Sequence, residues 1–131
     1  MKIKILVVED EALIRELVVT ILRQYGHEVI EATNADEAIS FLSVNDVDML
    51  LTDNDMPKRH EGMRVVEFAH TLSSRPFIVW TSGYASGDPA LCQKALDTGA
   101  DRVLFKPFRP TELNSIVARA AARRMLEVVP L

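Results

Sequence analysis

Five times along the chain, a short run of apolar or β-branched residues gives way to a stretch whose apolar residues recur at three- and four-residue intervals. This strict alternation restricts the fold more than any other feature. Strands are read over residues 2–8, 28–32, 47–52, 77–80 and 102–105. The unbroken apolar run Ile5, Leu6, Val7, Val8 suits a strand covered on both faces. The first helix, residues 11–25, carries Leu13, Ile14, Leu17, Val18, Ile21 and Leu22 on one face and stops at Gly26. Asn34 caps a second helix with Ala35, Ala38, Ile39 and Leu42, and a third, over 62–72, carries Val65, Val66, Ala69 and Leu72. Asp88 and Pro89 open a fourth with Leu91, Ala95 and Leu96, closed by Gly99. Pro110 and Thr111 open a fifth with Leu113, Ile116, Val117, Ala120 and Ala121 on one face. Five strand–helix pairs in series predict an α/β protein, a parallel sheet with helices on both faces.

At 131 residues the chain has room for one such unit and not two. A composition 48% hydrophobic and 26% charged excludes disorder and a membrane-embedded chain. The lone Cys92 cannot form an intramolecular disulfide, which fits a reducing compartment. The net charge of −4 is uneven, with 13 acidic against 7 basic side chains up to residue 65 and 6 against 8 beyond it. Such an acidic chain is poorly suited to direct nucleic-acid binding, which rests on neutralising phosphates. Arg119, Arg123 and Arg124, the only basic concentration, are expected on a solvated helix face. The first apolar run ends at Glu9 and Asp10, too soon for a signal peptide or membrane span, so a cytoplasmic protein is expected.

In open parallel sheets ligands bind beyond the carboxyl ends of the strands. There this chain places Glu9 and Asp10, Asp53, Thr81 and Ser82, and Lys106, each after apolar residues. One such residue alone reads as a helix cap or a solvated charge; four strand ends delivering acids, hydroxyls and an ammonium to one edge read as a site. Carboxylates converging there repel one another, and a divalent cation relieves the conflict. Oxygen-only donors suit Mg²⁺. A carboxylate-held Mg²⁺ facing an ammonium and a hydroxyl is arranged for the oxygens of a phosphoryl group, so the reaction expected is phosphoryl transfer. The chain has no Gly-x-Gly-x-x-Gly or P-loop, and His27, His60 and His70 stand singly as surface or boundary residues.

Glu9-Asp10 after the first strand, Asp53-Asn54-Asp55-Met56-Pro57 after the third, Ser82-Gly83 after the fourth and Lys106-Pro107-Phe108 after the fifth resemble the receiver domain of bacterial two-component response regulators. The likeness extends from Ile3 to about Arg124 and is closest to single-domain, chemotaxis-regulator-like receivers. It implies a flavodoxin-like doubly wound sheet of five parallel strands, order 2-1-3-4-5, with five helices. It also implies a receiver domain over residues 1–126 and a short tail over 127–131. By the same resemblance, Asp53 accepts a phosphoryl group from a histidine kinase or histidine phosphotransfer protein. Glu9, Asp10, Asp53 and the backbone carbonyl of Asp55 bind Mg²⁺, Ser82 and Lys106 contact the phosphoryl group, and Lys106–Pro107 is a cis peptide. The protein would then be a self-phosphorylating, slowly autodephosphorylating switch, not a turnover enzyme.

Three departures stand out. The stretch Lys58-Arg59-His60-Glu61 is basic and one residue longer than the family's usual loop, and the segment from Ser82 to Lys106 is also slightly long. Val103 occupies the position where receivers commonly carry a switching aromatic. The expected switch residues are therefore Ser82, Val103 and Tyr84, with the loop from Ser82 to Pro89 moving and Tyr84 substituting for the missing ring. The downstream protein target is expected on the face of the fourth helix, fifth strand and fifth helix, including Arg102, with a homodimer as the other route. Asp53-Asn54-Asp55 also resembles the Asp-x-Asp signature of haloacid-dehalogenase-type phosphatases, although its place on the third strand and Pro57 speak against that reading. A phosphate-independent interaction module is the third reading.

Overall fold

The structure, a computed structural model, describes residues 2–55, 61–83 and 88–128. Its elements are β1 (Lys4–Val8), α1 (Ala12–Gln24), β2 (Glu28–Ala32), α2 (Ala35–Val44), β3 (Met49–Asp53), α3 (Glu61–His70), β4 (Phe77–Ser82), α4 (Pro89–Thr98), β5 (Arg102–Phe105) and α5 (Pro110–Val128). The strands form one sheet in the order β2-β1-β3-β4-β5, and every pairing is parallel. That is the flavodoxin-like arrangement the motifs imply.

Successive strand residues point to opposite faces, so each strand feeds two cores. Leu6, Val8, Leu50, Ile78 and Trp80 pack with Ala38 and Leu42 of α2, Val65, Val66 and Ala69 of α3, and Ala95 of α4. Ile5, Val7, Met49, Leu51, Val79 and Leu104 pack on the other side with Val18, Val19 and Leu22 of α1 and Leu113, Val117 and Ala120 of α5. Strand β3 lies at the centre and is buried throughout. Caps hold the helices in register with the sheet. Asn34 Oδ1 accepts the Glu37 N–H (2.8 Å) while Glu37 Oε1 accepts the Thr33 N–H (2.7 Å), and Asp88 Oδ1 accepts the Leu91 N–H (3.1 Å). Gly99 ends α4 with φ +134°, and a Cβ there would also strike the His70 ring.

Several expectations need correction. The face of α1 turned to the sheet is centred on Val18, Val19 and Leu22, whereas Leu13 and Leu17 are 82% and 61% exposed. The apolar stripe read from the sequence is wider than the strip that the sheet can cover. Strands β1 and β3 begin two residues later than read, at Lys4 and Met49, and β4 continues two residues further, to Ser82. Helix α3 spans Glu61–His70, with Leu72 just beyond its end. Helix α5 runs to Val128, two residues into the stretch expected as a tail; residues 129–131 lie outside those described. Nor is the Arg cluster simply a solvated face. Arg124 pairs with Asp48 (3.3 Å), and Arg123 donates to the Arg75 carbonyl (3.0 Å) and lies 3.8 Å from Asp101, tying α5 to the amino edge of the sheet.

Candidate functional site

At the opposite, carboxyl edge the strands end in the residues singled out from the sequence. Glu9 follows β1 and is fixed by its backbone, its N–H donating to Ala32 O (3.0 Å) and its carbonyl accepting from Arg15 Nη1 (2.9 Å). Asp53 closes β3 and pairs in register with Thr81 of β4. Lys106 follows β5, with its N–H on the Ser82 carbonyl (3.1 Å), and the Lys106–Pro107 peptide is cis as expected.

The ammonium of Lys106 bridges two strands. Its Nζ donates to Glu9 Oε1 at 2.7 Å and lies 3.0 Å from Asp53 Oδ1. All three side chains are largely shielded from water. Burial, helped by the nearby Asp53 charge, raises the Glu9 pKa from 4.5 to about 7 against the lowering effect of Lys106. Burial alone would lower the Lys106 pKa, but its hydrogen bond to Glu9 and the Asp53 charge outweigh that and leave it raised. The crevice is thus electrostatically loaded with negative charge that one ammonium only partly offsets.

The same groups form the one carboxylate cluster among the described residues that fits a cation. Oxygens of Glu9, Asp10 and Asp53 lie within 4.8 Å of one another. Asp10 Oδ1 is buried without a hydrogen-bond partner among the described residues, an acceptor withdrawn from water and left unserved. Hard, anionic oxygen donors in this number fit Mg²⁺.

The surroundings position Asp53. The Asn54 N–H donates to Thr81 O (2.8 Å), continuing the β3–β4 ladder one step past the acid. At the start of α3, Gly62 is pressed against this turn. A Cβ there would run into the Asp53 carbonyl oxygen and stand 2.7 Å from Asn54 Cα, so only glycine fits. Sequence reading placed Gly62 in a helix without seeing that close approach, which only the tertiary fold creates.

Ser82 ends β4, and its hydroxyl donates into the carboxylate of Asp55, 3.0 Å from Oδ1 and 3.2 Å from Oδ2. The Gly83 N–H donates to the same Oδ2 at 2.7 Å. Sequence reading used Asp55 only for its backbone carbonyl and did not anticipate this side-chain role. Val103 is half-buried against the core beside Trp80, its register partner, and the indole of Trp80 is completely buried. Of the remaining expectations, Tyr84 and the centre of the loop from Ser82 to Pro89 lie outside the described residues, as do Met56, Pro57 and the basic stretch up to His60.

This combination defines a class: a doubly wound α/β protein with an acid-lined crevice, closed by one lysine, at the carboxyl edge of its sheet. Residues 5–118 match the response regulator receiver domain family, and the chain belongs to that family. It is 37% identical over 123 residues to a probable transcriptional regulator, ycf27, of Cyanophora paradoxa, covering 94% of this chain and 49% of that protein. The chain spans about half the length of the curated relatives it matches. Among solved structures, a CheY-like receiver domain protein from Methanospirillum hungatei superimposes with a TM-score of 0.86 at 27% identity, covering 95% of this chain and 97% of that one. The receiver domain of the Pseudomonas aeruginosa sensor histidine kinase PA1611, solved with a magnesium ion coordinated in its active-site cleft, shares the fold. Its TM-score is 0.80 at 23% identity, covering 91% of this chain and 97% of that one. Among the described residues no helix is long and apolar enough to cross a membrane.

Proposed function

We propose that the chain is a cytoplasmic phosphorylation switch in which Asp53 accepts a phosphoryl group from the phosphohistidine of a histidine kinase or phosphotransfer protein. The observation that carries this reading is the placement of Asp53 beside Lys106, with two further acids at cation-binding distance. A carboxylate oxygen of Asp53 bonds to phosphorus as the donor's N–P bond breaks, and the electron pair of that bond returns to the imidazole nitrogen. Aspartate is a weak nucleophile, so the protein's work is alignment and neutralisation of charge. Lys106 supplies an ammonium already at the acceptor, and Ser82 supplies a hydroxyl at the neighbouring strand end. Glu9, Asp10, Asp53 and the Asp55 backbone carbonyl would hold Mg²⁺, which when bound offsets the negative charge of the phosphoryl oxygens.

The acyl phosphate formed would shift an existing equilibrium between two surfaces and not drive turnover. A downstream protein would read the change on the face of α4, β5 and α5. Intact-mass analysis after acetyl phosphate treatment tests the reading. One phosphoryl group should appear on the wild type in Mg²⁺, and none on Asp53→Asn or in excess chelator. Labelling that persists in Asp53→Asn would place the acceptor elsewhere, and rapid hydrolysis of a generic phosphomonoester would favour a phosphatase.

A further inference from the structure

We propose that the side chain of Asp55 is a positioning residue that holds the phosphoryl group's place in the resting protein and must give it up when Asp53 is modified. The inference rests on the reading of Asp53 as acceptor and adds to it a competition built into the crevice. Ser82 has one hydroxyl proton and Gly83 one amide proton, and both are directed at the Asp55 carboxylate, at 3.0 Å and 2.7 Å. A proton given to Asp55 is withheld from a phosphoryl oxygen. These donors sit at the end of β4, next to the strand that ends in Asp53, and a Cβ added at Gly83 would lie within 4 Å of both Asp55 Oδ2 and Lys106 Cβ.

A carboxylate resembles the phosphoryl group in the features these donors sense, anionic oxygens that accept short charge-assisted hydrogen bonds. It differs in being tethered, so it is present at high effective concentration before any phosphodonor arrives. A phosphoryl group on Asp53 brings a second anion to the same corner of a crevice that already holds Glu9 and Asp10. The two anions cannot share the donors, and repulsion adds to the competition. The end of β4 is therefore engaged in the resting state as well as in the phosphorylated one, and what phosphorylation changes is which anion engages it. Phosphorylation makes one set of hydrogen bonds only by breaking another, which holds back both its rate and its equilibrium.

The test uses beryllofluoride, a non-hydrolysable phosphoryl mimic, at saturating Mg²⁺ on the wild type, Asp55→Asn, Asp55→Ala, Ser82→Ala and the Ser82→Ala/Asp55→Ala pair. Asp55→Ala should bind the mimic roughly tenfold more tightly than wild type, the effect of freeing one charge-assisted hydrogen bond, with Asp55→Asn between them. In the Ser82→Ala background the gain should shrink, since one of the contested donors is gone. An independent readout begins with the resting contact, before any mimic is added. The Gly83 amide proton should resonate far downfield in the resting wild type, move upfield in Asp55→Ala and return downfield when beryllofluoride is added. Equal or weaker binding by Asp55→Ala, or a Gly83 resonance unmoved by that substitution, overturns the inference. Failure of Asp53 to take label would instead remove the phosphoryl acceptor while leaving the Gly83 shift to report the resting contact.

Discussion

Glu9 carries the cost of gathering acids in a dry crevice. Its pKa is raised from 4.5 to about 7, chiefly by burial, so the folded protein keeps a proton that the unfolded chain has released. The native state then binds more protons than the unfolded state between these values, and the stability of the metal-free protein should fall as pH rises from 4.5 to about 7. Thermal melts in chelator should show this decline, and Glu9→Gln, which keeps an acceptor for Lys106, should flatten it. Parallel curves for the two proteins would show that Glu9 titrates as if exposed. At this scale the sequence was legible where a residue's chemistry alone defined its part. Glu9, Asp10, Asp53 and Lys106 are found together, as acids and a lysine that follow apolar strands at one edge of a parallel sheet imply jointly though not singly. It was not legible where a part depends on what a side chain meets. The carboxylate of Asp55 on Ser82 and Gly83 follows from how a turn after β3 and the end of β4 come together. No spacing rule carries that information.

At the scale of elements, periodicity located all ten segments but misjudged some edges and one face. Asp53 and Ser82 are residues of strands, because parallel pairing with a neighbour extends each strand past the point where its composition turns polar. In α1 the sequence offers more apolar residues than one face can bury, and only packing decides that Leu13 and Leu17 stay outside. The junction of β3 with α3 shows the converse, a constraint invisible in composition. With backbone on both sides of the missing Cβ, Gly62→Ala cannot be accommodated by rotating a side chain. It should cost about 1–3 kcal/mol and shift Asp53 enough to slow its labelling by acetyl phosphate. An unchanged melting temperature together with an unchanged labelling rate would mean that α3 can slide away from the strand end. The neighbouring pair Trp80 and Val103 explains why β5 can lack a large ring at its second position. The adjacent strand already fills that side of the sheet with a buried indole.

For the molecule as a whole, the crevice and the fold are coupled through anything that binds only the native state. A divalent cation held by Glu9, Asp10 and Asp53 should stabilise the protein by about 1.4 kcal/mol at ten times its Kd, and Asp10→Asn should lose most of that increment. Equal stabilisation of wild type and Asp10→Asn in Mg²⁺ titrations followed by thermal melting would place the ion elsewhere. The bridge from Lys106 to Glu9 adds a consequence in time. It joins residues 97 positions apart, the end of β1 to the end of β5. Contacts of such separation close late, because most of the intervening chain must be ordered before they reward the entropy spent. A chain still emerging from its ribosome carries Asp53 well before it carries Lys106. During refolding, competence for acetyl phosphate should thus appear together with the burial of Trp80 and not ahead of it, as stopped-flow fluorescence paired with quenched labelling can show. Partly made copies would lack this bridge, since the crevice gains its ammonium only once β5 has been laid down beside β4.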